Sequence, residues 1–160
     1  MKKYHSSNTP AAGHRFLKRV YIILMALMAL TGFGQMPIFK RYYVADIPGL
    51  GWLADFYFTH ILHYIGAMVL LAIFAYFLTD FFLQARKTYR LTVAAFIRIL
   101  LLAGLVGTGI FRVLKNLPDV TFSPGFTLFI DIAHLGFMMS FVLVALVFLI
   151  FKRGWVMASR

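Results

Sequence analysis

Four stretches of this chain are apolar for long enough to cross a bilayer, and nothing between them is long enough to fold as a domain. A helix needs about 20 predominantly apolar residues to traverse the hydrocarbon core. Residues 16–39, 57–83, 91–114 and 125–151 meet that length, and the longest connection is residues 40–56. Only 13% of the chain is charged against 62% hydrophobic, whereas soluble domains are about a quarter charged. The expected fold class is therefore all-α: an integral membrane four-helix bundle making a single transmembrane domain over 1–160.

Charge placement orients the spans. Lys2, Lys3, Arg15, Lys18 and Arg19 precede the first run, Arg86, Lys87 and Arg90 separate the second and third, and Lys152, Arg153 and Arg160 follow the fourth. The opposite side holds Lys40, Arg41, Arg112 and Lys115, diluted by Asp46, Asp55 and Asp119. Basic residues concentrate on the cytoplasmic side of membrane proteins, so both termini are expected in the cytoplasm. The net charge of +11 does not point to nucleic acid, because the basic residues bracket apolar runs and form no patch on a soluble fold. No small-residue cleavage site follows the first run, which reads as a retained helix rather than a signal peptide. The outer loop KRYYVADIPGLGWLADF is rich in aromatics and glycine. Tyr and Trp favour the membrane–water interface, and a short interfacial helix over 51–56 is expected. It would cap a cofactor site, offer a docking surface, or be an ordinary interfacial loop.

The chain has no cysteine, which excludes iron–sulfur clusters and covalent c-type haem. Candidate ligands are the histidines. His60 and His63 lie near the outer start of the second span, and His134 lies nine residues after Gly125 in the fourth. The two spans run the same way, so the depths compare directly. Two imidazoles from two helices hold a b-type haem without thiols. His63 and His134 are the favoured pair, with His60 as the alternative to His63. Gly66 and Gly136 offer room beside a macrocycle, as do Gly104 and Gly107. Arg112 and Lys115 would neutralise haem propionates. One haem is expected, because His14 is on the cytoplasmic side without a partner there and His5 sits in a polar tail.

Two charged residues fall within spans. Asp131, one turn before His134, would orient the imidazole, relay protons or bind quinone, or else reach the outer interface. Arg98 would snorkel to a headgroup or contact quinone or a partner. The two halves also look alike: Thr31-Gly32 and Thr108-Gly109 each precede a histidine by 26 to 32 residues, the mark of a parallel repeat about an axis along the membrane normal.

On the four inside-to-outside spans, the basic-aromatic start HRFLKRVY, Leu30-Thr31-Gly32 closing the first span, and histidines in spans two and four, the chain resembles the small membrane cytochrome b subunits of respiratory formate dehydrogenases and nickel–iron hydrogenases. That resemblance implies a bacterial inner-membrane subunit passing electrons between quinone and a periplasmic oxidoreductase partner, an iron–sulfur or multihaem protein. It implies an outer haem held by His63 or His60 with His134. The family's inner haem uses a histidine early in the first helix, where this chain has Lys18, and a second histidine in the fourth, which this chain lacks. The rival expectations are a haem-free membrane anchor of a redox complex and a small proton-conducting or transport subunit using His60, His63, His134 and Asp131.

Overall fold

The structure is a computed structural model that describes residues 12–36 and 43–158, with side chains from Arg15 onward. It contains four long helices, α1 (Ala12–Gly34), α2 (Phe56–Leu83), α3 (Val93–Leu114) and α4 (Pro124–Ile150). Each holds a segment long and apolar enough to span a membrane, so this is an all-α, multi-pass membrane protein. Between 6% and 22% of each span's most apolar stretch is buried inside the protein. The remaining apolar surface is the kind that lipid covers.

Three helix starts are capped by the residue types that satisfy orphan amides. The Phe58 amide donates to the Asp55 carboxylate at the head of α2, and the Ala95 amide donates to Thr92 Oγ1 at the head of α3. The Phe126 amide donates to Ser123 Oγ at α4, where Pro124 takes the first helical position, which needs no amide donor.

The chain divides into two compact units, Met1–Phe82 and Leu83–Arg160. In the first unit α1 and α2 pack through Leu24, Leu70 and Ile73, with Val20, Tyr21, Met28, Phe74 and Phe77 around them. The Tyr21 and Phe74 rings meet at 5.9 Å. The connecting loop forms single 3-10 turns at Val44–Asp46 and Gly51–Ala54. The second is the short helix expected over 51–56, ended early because Asp55 turns extended to cap α2. Its Leu53 is fully buried and presses on the end of α1. A Cβ on Gly34 would lie 3.1 Å from a Leu53 methyl, so glycine there lets the loop close over the helix.

In the second unit α3 and α4 form a hairpin whose far end is clasped. Strand β1 (Tyr89–Leu91) pairs antiparallel with β2 (Val156–Ala158), Arg90 opposite Met157. This pairing delays α3 to Val93 instead of residue 91. After α4, Lys152 adopts a left-handed backbone (φ 51°) and the Arg153 amide reaches back to the Phe148 carbonyl at 2.8 Å, a helix-ending turn that returns the chain toward β1. Thr92 Oγ1 donates to the Gly154 carbonyl at 2.8 Å.

Arg98 lies inside this clasp. It is buried at 7% exposure. Its guanidinium lies 4.9 Å from the centre of the Phe148 ring and 5.0 Å from that of Trp155, and it donates to the Arg153 carbonyl at 3.1 Å. The snorkelling expectation is corrected: the cation is held by aromatic faces and a backbone carbonyl of its own unit. First-span residues 37–39 lie outside the described residues, as do His5, Lys40 and Arg41, and α1 is described as helix to Gly34.

Candidate functional site: a repeated threonine–histidine–glycine arrangement

Each unit presents one imidazole in the same local setting. In the first, Thr31 Oγ1 lies 2.8 Å from the Leu27 carbonyl, four residues back along α1, and 2.9 Å from His63 Nδ1. In the second, Thr108 Oγ1 lies 2.8 Å from the Gly104 carbonyl and 3.0 Å from His134 Nδ1. A hydroxyl has one proton and two lone pairs. With the proton given to the helix carbonyl, the threonine oxygen accepts from Nδ1–H. In that arrangement the imidazole is the tautomer whose Nε2 carries the lone pair, the form that binds a metal.

The glycine after each threonine sets the ring's seat. A Cβ on Gly32 would meet His63 Cε1 at 3.4 Å, and one on Gly109 would meet His134 Cε1 at 3.4 Å. A single methyl would just touch, and any longer side chain would displace the ring. Thr31-Gly32 and Thr108-Gly109 are thus more than markers of a repeat. They are the residues that hold the histidines, a role the sequence signalled only by spacing. The separations differ, 32 residues in one unit and 26 in the other, because the first connecting loop is longer.

The match continues one turn further toward the interhelical loops. Four residues after Thr31 is Gln35, and three before His63 is His60; Gln35 Oε1 and His60 Nδ1 are 3.3 Å apart. The same steps from Thr108 and His134 reach Arg112 and Asp131, whose Nε and Oδ1 are 3.2 Å apart. Lys115 Nζ adds 2.8 Å bonds to both Asp131 oxygens. His60 also stacks on Phe56 at 5.3 Å and tilts against Tyr64 at 4.3 Å. His60 is therefore the counterpart of Asp131, while His63 is the counterpart of His134.

Several expected site residues are re-placed by this geometry. Thr108 Oγ1 lies within hydrogen-bond distance of His134 Nδ1, and the Asp131 carboxylate is bonded by Lys115 and Arg112. Gly66 does not open space: a Cβ there would come within 2.6 Å of Met28 Sδ, so it serves α1–α2 packing. Gly104 does the same for Phe137, whose ring carbons would be 2.5 Å from a Cβ. Gly136 and Gly107 meet nothing within 4 Å. Arg112 and Lys115 stand together against one carboxylate, a net surplus of one positive charge beside His134.

Among the described residues, no three His, Cys, Asp or Glu side chains converge as they would around a bare metal ion. A group bringing its own four equatorial nitrogens needs only one or two imidazoles from protein, and the Nδ1-anchored rings fit that requirement. Comparison with protein-family models, with characterised proteins and with solved structures finds no match to this chain.

Proposed function

We propose that this chain is a membrane electron-transfer subunit in which His63 and His134 would hold one b-type haem. The observation that carries the reading is the repeated constellation: the same hydroxyl, ring nitrogen and glycine in both units, each leaving Nε2 as the basic nitrogen. Among the described residues two imidazoles share this setting, His63 and His134, and both would hold the haem. His60 is set apart from them by its equivalence to Asp131.

When bound, the haem supplies one-electron chemistry that the side chains do not. The protein's part is to hold the imidazoles in one tautomer and one orientation through Thr31 and Thr108. Arg112 and Lys115 place positive charge one turn from His134, which favours the more negative form of a nearby redox group or its carboxylates. On the positive-inside rule both termini would be cytoplasmic, and His63 and His134 would each lie toward the outer end of its own helix. The redox partners would then be membrane quinone and a subunit at that outer face, in a bacterial inner membrane.

The test is a reduced-minus-oxidised absorbance spectrum of the purified protein and its variants. A b-type band in wild type, lost in both H63A and H134A and kept in H60A, is expected. A wild type without the band would overturn the reading and favour a haem-free membrane anchor.

A further inference from the structure

We propose that the side-chain amide of Gln35 donates to an acceptor oxygen of a bound ligand, either the carboxylate of a haem propionate or the carbonyl of a quinone. Gln35 Oε1 lies 3.3 Å from His60 Nδ1, yet its Nε2 is buried with no hydrogen-bond partner among the described residues. Buried donors are nearly always satisfied, and an orphaned one marks a place where something else supplies the acceptor. The repeat adds a second, separate indication. The position equivalent to Gln35 in the other unit is Arg112, which with Lys115 outnumbers the single Asp131 carboxylate. Both units therefore place surplus hydrogen-bond donors one turn beyond an Nδ1-anchored imidazole, toward the interhelical loops. Donors without acceptors select oxygen-bearing, neutral or anionic groups and reject cations.

Only the propionate alternative rests on the haem assignment above. The experiment uses the full-length protein in lipid nanodiscs as wild type, Q35L and Q35E. Three ligands are titrated: haem b, iron etioporphyrin (which lacks propionates) and decylubiquinone. If the oxygen is a propionate, Q35L weakens haem binding about 10- to 100-fold, as expected for a hydrogen bond to a charged group. Q35E weakens it further by like-charge repulsion, and iron etioporphyrin affinity stays unchanged for both. If the oxygen is a quinone carbonyl, Q35L weakens decylubiquinone binding and leaves haem alone.

The proposal is overturned if neither affinity changes, or if haem and iron etioporphyrin weaken equally, which would report general loss of packing. Wild type that binds haem through His63 and His134 but is unaffected by Q35L in both arms sinks this inference alone. Wild type that binds no haem sinks the haem assignment, and the quinone arm then decides. Wild type that binds neither ligand sinks both.

Discussion

The two units solve the same problem with different outer chemistry. Both hold an imidazole by a threonine hydroxyl that is itself anchored to its own helix, at 2.9 Å in one and 3.0 Å in the other. One turn away they diverge: a Gln35–His60 pair in the first unit, and an ion cluster of Arg112, Lys115 and Asp131 in the second. Their helix packing is complementary rather than identical. In the first unit Met28 of α1 fills the hollow at Gly66 of α2. In the second the roles reverse, and Phe137 of α4 fills the hollow at Gly104 of α3. Close approach of two apolar helices needs a small residue on one side, and either helix can supply it. The threonine–histidine contact is what both units keep.

The largest effect expected from breaking this comparison is at the threonines. T31V and T108V each remove the partner of an imidazole Nδ1, and losses of outer hydrogen bonds of this kind cost about 10- to 100-fold in metal affinity. Haem titration should show similar losses for the two variants, and T31S and T108S should restore binding. Unequal losses would mean that the two sites are alike in shape but not in role.

The packing reversal predicts an effect that is unequal by design. G104A drives a methyl into the edge of an aromatic ring that cannot fold away, and should destabilise by about 1–3 kcal/mol. G66A meets a thioether, which can swing aside, and should cost less than about 1 kcal/mol. Thermal unfolding in detergent micelles measures both. The smallest effect belongs to D131N. The ion cluster is partly exposed, with Asp131 at 39%, and pairs of that kind contribute about 0–1 kcal/mol. Unfolding of D131N should barely shift, and its haem affinity should hold if Thr108 orients His134.

Much of this architecture is legible from residue order. Hydropathy alone places four spans, because an apolar stretch of that length has no other stable setting. The start of α3 is not legible, since β1 pairs with β2 near the opposite end of the unit, and a contact so distant leaves no local pattern. Arg98 reads as a snorkelling cation for the same reason: its partners Phe148, Arg153 and Trp155 lie at the far end of the next helix and just after it. His63 and His134 stand out as histidines in apolar helices. Thr31 and Thr108 are visible as a repeated dipeptide, but their contact with the rings depends on interhelical register. Gln35 and His60 cannot be matched to Arg112 and Asp131 by inspection, because the side chains differ in both charge and shape. Only equal distances from the paired threonine and histidine reveal the correspondence.

Low-temperature EPR of the oxidised full-length protein, combined with haem quantitation, tests the proposal that His63 and His134 hold one b-type haem. The account predicts one haem per chain with a low-spin ferric signal typical of two nitrogen ligands. A high-spin signal from iron with a single histidine, or two haems per chain, would contradict it.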